Sequence, residues 1–253
     1  PTPADKAVKE FVTTENLQME LVMAEPQVRQ PLYMSFDDRG RMWVVQYLQY
    51  PFPEGLKVIK YDQYLRAVFD KVPAAPPNHV KGADRITVYE DTDADGKYDT
   101  SKDVITGLNI ATAVLQGGGG IWVLNPPYLL FYPDANRDDV PDGDPVVHLS
   151  GFGLEDTHSV ANSLCWGPDG WLYGLNGVFN YGHVKYGKDN PNLAKNPDHP
   201  GWPITCAVWR INPHTKEFDI FAEGTSNPWG IAINDEGELF LSACVIDHFC
   251  VFV

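Results

Sequence analysis

The stretch Asp91–Thr100, DTDADGKYDT, sets carboxylates at Asp91, Asp93, Asp95 and Asp99 around Gly96. An EF-hand loop needs a bidentate Glu at its twelfth position. Counted from Asp91 that position is Lys102, so the stretch is not an EF-hand. A twin lies 43 residues further on. DANRDDVPDG, Asp134–Gly143, places Asp134, Asn136, Asp138 and Asp142 at the same offsets of 0, 2, 4 and 8. The flanks align as well: ITVYEDTDADGKYDTSKDVITGL runs beside LLFYPDANRDDVPDGDPVVHLSGF, with Tyr89 on Tyr132. Two loops with one spacing predict two calcium sites, because alternating carboxylates converge hard oxygen ligands on one cation. Backbone carbonyls near Lys97 and Val140 would complete the shells, and the expected role is structural.

A second element recurs. SFDDRGRMWVV from Ser35, CWGPDGWLYGL from Cys165 and AINDEGELFLS from Ala232 each read as a strand, a turn and a second strand. Gly40, Gly170 and Gly237 supply the positive φ that such turns require. Repeats of roughly 40–50 residues built from short strands mark a β-propeller. The expected fold is therefore all-β, with blade-like units at 32–108, 111–153, 158–224 and 228–253 of a single partial domain. Two insertions interrupt them: YLQYPFPEGLKVIKYDQYLRAVFDKVPAAPPNHVKGAD in the first unit and NYGHVKYGKDNPNLAKNPDHPGWP in the third. Three to four blades leave a propeller open, so a longer protein or a partner is expected to complete the ring.

Composition narrows the function. Hydrophobic residues at 43% and aromatics at 12% supply a sizeable core. A net charge of −15 excludes a nucleic-acid partner, which needs a basic surface. No apolar run reaches the roughly 18 residues of a membrane span. Cys165, Cys206, Cys244 and Cys250 form neither CxxC nor CxxCH, and Cys165 and Cys206 read as buried free thiols. The Trp residues read as packing between blades, apart from Trp202 in HPGWP, which is kept as a ligand contact. His183 and His199 read as solvent-exposed. Asp247 and His248 are candidates to face the axis.

Three stretches carry a resemblance. LQGGGGIWVL (Leu115–Leu124), HSVANSLCWGPDGWLYG (His158–Gly174) and GTSNPWGIAINDEGELFLS (Gly224–Ser242) are similar to segments of the soluble glucose and sorbosone dehydrogenases. DDRGRMWVV, PPYLLFYPDANRDDVPDGDPVV and DTHSVANSLCWGPDGWLYG resemble a relative of that family, the "membrane-bound dehydrogenase" propeller of planctomycete-type envelope proteins, over most of residues 20–248. The resemblance implies six blades in the full protein, an extracytoplasmic location, and a c-type haem domain elsewhere. It implies oxidation of a sugar or alcohol with pyrroloquinoline quinone as cofactor. His158 matches the catalytic base, and Gln116 and Asn227 match cofactor contacts. One departure is Ser226, which stands where the family has an Arg that pairs with the cofactor's carboxylates. The alternative is a non-catalytic, calcium-stabilised propeller acting as a binding or scaffold module of the envelope.

Overall fold

The computed structural model describes residues 2–244 and 250–252; Asp247 and His248 lie outside the described residues. A short helix, Ala4–Ala7 (α1), opens the chain and runs into one 3₁₀ turn. Pro31–Phe36 (β1) and Met42–Gln46 (β2) then form a hairpin. Val58–Tyr61 (β3) and Ala67–Phe69 (β4) make a separate two-stranded ribbon in the first insertion. Asp84–Glu90 (β5) and Thr100–Leu108 (β6) rejoin the first sheet in the order β1-β2-β5-β6.

The second sheet runs through Ala113–Gln116 (β7), Gly120–Asn125 (β8), Tyr128–Pro133 (β9) and Val146–Ser150 (β10). The third takes Asn162–Trp166 (β11) and Leu172–Asn176 (β12). The chain then leaves that sheet. Gly182–Tyr186 (β13), a helical turn at Pro191–Lys195 (α2) and Trp202–Ile204 (β14) add two strands to the outer edge of the second sheet. The second insertion thus pairs the outer edge of β10 and removes it as a free template. Ala207–Ile211 (β15) and Phe218–Glu223 (β16) complete the third sheet. Pro228–Ile233 (β17), Leu239–Ala243 (β18) and the backbone of Cys250–Phe252 (β19) form a fourth.

Strand pairing is antiparallel throughout, and the sheets stack face to face as propeller blades do. Their first strands lie side by side. Ser35 Oγ donates to Val114 O at 3.0 Å, Thr112 Oγ1 to Ala161 O at 2.7 Å, and Asn162 Nδ2 to Pro228 O at 3.1 Å. Sheet faces pack through large apolar side chains. Trp43 with Ile86 and Ile121 joins the first and second sheets, and Trp122 and Trp209 lie between the second and third. All three indoles are buried, as expected of strand tryptophans in an inter-sheet core. The three hairpin glycines have φ of 76°, 76° and 87°, the left-handed conformation that their turns need. Trp202 is half-buried in an aromatic cluster. His199 stacks on it at 4.1 Å, and Tyr186 and Phe218 pack at 5.2 and 5.0 Å. His183 is exposed and His199 half-buried. Cys165, Cys206 and Cys244 are free thiols, and neither Cys165 nor Cys206 is fully buried.

Candidate functional site

Thr112 sits beside Ala161, and the Gln116 carbonyl accepts from Trp166 Nε1 at 2.9 Å, so β7 and β11 run parallel. The N-terminal ends of the inner strands therefore share one end of the fold. His158 precedes β11 and Asn227 precedes β17, so both fall at that end. Gln116 closes β7 and is followed by the turn Gly117–Gly119, which puts it at the opposite end. The three residues that the resemblance groups around one cofactor do not meet.

At the first end, His158 is held by its neighbours. Asp156 Oδ1 lies 3.0 Å from both the His158 backbone N–H and Nδ1. Tyr50, from the first insertion, places its hydroxyl on Nε2. Asn180, fully buried, donates to Asp156 O at 2.6 Å and to Ser159 Oγ at 3.0 Å, while its own oxygen accepts Asp156 N–H at 3.2 Å. These bonds fix the loop that carries the imidazole. Asn227 is one turn away, in the left-handed region at φ 51°, and its Oδ1 accepts Val178 N–H at 3.3 Å. Gly177 separates the two: a Cβ there would lie 2.3 Å from Ser159 O and 2.6 Å from Asn227 Oδ1. Only glycine allows this approach of the β12–β13 turn.

A cleft of about 250 Å³ opens beside His158 beneath the β3–β4 ribbon, with Glu155, Asp156, Arg66 and Tyr64 on its walls. Burial pushes the Glu155 carboxyl above its ordinary range. Arg66 is already paired with Asp62 and lies over the rings of Tyr64 and Tyr181 at 5.1 and 4.9 Å. No unpaired cation lines this cleft among the described residues. His158 is accessible, with 71% of its side chain exposed.

At the other end, a cleft of about 390 Å³ lies between the β1–β2 turn, Gly117–Gly119 and the β9–β10 loop. Both side-chain polar atoms of Gln116 are buried here without a partner. Gly117 packs against Trp166, where a Cβ would sit 2.6 Å from the ring. Arg41 is bracketed by two buried carboxylates. Its Nη1 and Nη2 meet Asp139 at 2.5 and 2.9 Å, and Nε and Nη2 meet Asp37 at 2.9 Å each. Burial pushes the Asp37 carboxyl up, but hydrogen bonds from Trp43 and Arg41 outweigh it and hold the group below its ordinary range.

The acidic loops join the third and fourth strands of the first and second sheets, and their backbone N–H groups donate to equivalent carboxylates. Asp91 accepts from the N–H groups of Asp95 and Gly96, and Asp134 from those of Asp138 and Asp139. Asp99 accepts from Thr92 N–H and Asp142 from Ala135 N–H. Left-handed residues fall at the same places, Ala94 and Gly96 in one loop and Arg137 and Asp139 in the other. In the first loop Asp91, Asp93 and Asp99 bring carboxylate oxygens within 4.8 Å of one another. Asp95 and Asp138 instead accept from the N–H two residues on, at 2.9 Å each.

Tyr50 and Asp156 were not singled out by the sequence motifs. Asp156 has a signal in D-x-H, the spacing at which a carboxylate reaches both the backbone and the ring of the His. Tyr50 has none, because an insertion delivers it across 108 residues of chain.

Among solved structures, the chain is similar to the PQQ domain of pyranose dehydrogenase from Coprinopsis cinerea in its holo form. The TM-score is 0.51 at 13% identity, over 87% of this chain and 44% of that one. It thus spans less than half the length of that domain, and the likeness is one of fold. A putative oxidoreductase (glucose dehydrogenase) from Thermus thermophilus aligns at TM-score 0.37 and 16% identity, over 88% of this chain and 61% of that one. A catalytically inactive virginiamycin B lyase from Staphylococcus aureus aligns at 0.40 and 14%, over 90% and 71%. No curated protein matches the chain. Among the described residues no helix is long and apolar enough to cross a membrane. The family model described as "Domain of unknown function (DUF7133)" matches residues 3–252, and the chain, a β-propeller unit with a held, exposed histidine at one end, belongs to that family.

Proposed function

We propose that this chain is the proton-abstracting part of a dehydrogenase-like propeller. His158 is the base that takes the hydroxyl proton of a sugar or alcohol. The observation that carries the reading is the His158–Asp156 pair. A carboxylate 3.0 Å from Nδ1 holds the ring and leaves Nε2, which meets the Tyr50 hydroxyl, as the basic nitrogen, the arrangement of an oriented general base. The propeller fold, shared with a PQQ domain, and Asn227 at the same end support it. Pyrroloquinoline quinone, if held at this end, would supply the redox chemistry, and a haem domain elsewhere, outside the cytoplasm, would be the electron acceptor.

The residues of this chain do not by themselves fit that cofactor. Its three carboxylates need cations, yet Ser226 replaces the family's Arg and Arg66 is spent on Asp62. Gln116 is at the far end. No hydride step is therefore derived from these residues. The same lack of cations favours the second reading, a calcium-stiffened binding or scaffold propeller. In both readings the two acidic loops hold calcium, through Asp91, Asp93, Asp95 and Asp99 and through Asp134, Asn136, Asp138 and Asp142. The donor set fits: each loop offers hard oxygens only, on backbones of matching geometry.

The test is a titration of this chain, and of the longest natural form that carries it, with pyrroloquinoline quinone and calcium, following cofactor absorbance and thermal stability. Saturable binding that is lost in His158→Ala or Asn227→Ala upholds the dehydrogenase. Stabilisation by calcium alone, with no cofactor bound in either form, leaves the scaffold.

A further inference from the structure

The outward nitrogen of His158 is not bare. Tyr50 meets it with its hydroxyl, and the two rings stand edge to face at 5.2 Å. An ionised carboxylate accepts hydrogen bonds and cannot donate them, so Asp156 draws the proton of the neutral imidazole to Nδ1. The lone pair is left on Nε2, and Tyr50 is then the donor. We infer that Tyr50, His158 and Asp156 form a proton relay in which the Tyr50 hydroxyl, rather than the imidazole, meets the ligand. The inference rests on the reading of His158 as a base.

The step balances without an oxidant. The O–H bond of the ligand breaks as its proton passes to the phenol oxygen. The phenol proton passes to Nε2 in the same event. The ligand is left as an alkoxide, Tyr50 is neutral again, and the imidazolium on His158 faces the Asp156 carboxylate.

The chain on either side of Tyr50 is anchored. Tyr47 packs on Tyr50 at 5.5 Å and donates its hydroxyl to Thr157 O at 3.2 Å. Thr157 Oγ1 donates to Pro51 O at 2.9 Å. Gln49 N–H donates to the fully buried Asp84 at 2.6 Å, and its side chain bonds Ala83 N–H and Phe52 O at 2.9 and 3.0 Å. Both members of the contact are thus tied to each other's loop by bonds outside the relay. The Tyr50 side chain remains partly open, at 39% exposed. A rigid root that holds the hydroxyl on Nε2 suits a relay and does not suit a flap that must swing aside.

Ring-¹⁵N histidine NMR of the whole chain tests this without any ligand. The expected result is an Nδ1–H tautomer for His158 in the parent protein. Tyr50→Phe shifts the Nε2 signal and leaves Nδ1–H in place, whereas Asp156→Asn mixes the tautomers. Labelling of His158 by diethyl pyrocarbonate rises about tenfold in Tyr50→Phe, the equivalent of one hydrogen bond of about 1.4 kcal/mol. An Nε2–H tautomer in the parent, or unmoved signals and labelling in Tyr50→Phe, overturns the relay. No cofactor enters this measurement, so the relay and the dehydrogenase reading fail separately. Where quinone-dependent oxidation is found, Tyr50→Phe lowers kcat by about 10²-fold with KM little changed. A rise in kcat would instead make Tyr50 an obstruction and sink the proposal.

Discussion

Arg41 offers the sharpest test of how the first two blades are joined. Its side chain is 6% exposed, and those of Asp37 and Asp139 are 3% and 10% exposed. In Arg41→Met the two carboxylates fare differently. Asp37 keeps Trp43 Nε1 and the Arg39 and Arg41 N–H groups, each at 3.0 Å. Asp139 loses both short bonds and retains only the Arg39 guanidinium at 3.9 Å. Removing one partner of a buried ion pair costs about 3–5 kcal/mol, because the remaining charge is stranded away from water. With an unfolding entropy of about 2.1 cal/mol/K per residue, this lowers Tm by about 6–9 °C. Urea unfolding of Arg41→Met, Asp139→Asn and the double variant, followed by tryptophan fluorescence, measures it. The double variant should cost less than the two singles together by about 2 kcal/mol, since each single strands the other's partner. A loss below about 1 kcal/mol in Arg41→Met, the range of an exposed pair, would refute the argument.

Two further outcomes follow from the same geometry. Chelation of calcium should lower Tm and its return restore it, with magnesium a poor substitute because it demands tighter octahedral geometry. At a hundredfold excess over Kd each site is worth about 2.7 kcal/mol, so Asp91→Ala with Asp134→Ala should abolish the calcium-dependent shift; its persistence would place the ion elsewhere. His148 is buried between Trp122 and Phe131, and burial, with Lys216 nearby and Asp189 opposing, pushes its pKa down to about 4. The unfolded chain then binds the proton that the native ring refuses, so stability is present above about pH 6.5 and is lost as pH falls toward 4. The loss is on the order of 3 kcal/mol for a shift of this size. His148→Leu should flatten that slope in urea titrations between pH 4 and 7, and an unchanged slope would remove His148 as its source.

Much of the architecture is legible in the sequence because it is written locally. The twin acidic loops and the glycines of the hairpin turns each depend on a few adjacent residues, and their backbone geometry follows from them. The second insertion is less legible. It reads as a surface excursion, yet β13 and β14 extend the neighbouring sheet, and nothing within the insertion states which edge it will find. The candidate site divides in the same way. His158 stands out in its motif, and Asp156 is two residues away. The grouping of Gln116 with His158 comes from the resemblance, which requires the start of the glycine run to lie at the His158 end of an inner strand. Here the run ends one, which moves Gln116 by the length of β7, roughly 13 Å at about 3.3 Å per residue.

By itself, the sequence determined the strand content, the turn positions, the strong negative charge, and the oxygen-rich loops, all set by short-range sterics and composition. The tertiary structure alone decided which residues share an end of the propeller, that Tyr50 caps His158, and that Arg41 is clasped by Asp139 from 98 residues away. Such contacts depend on the register and stacking of whole sheets. That packing is a property of the entire core, and no local pattern of residues encodes it.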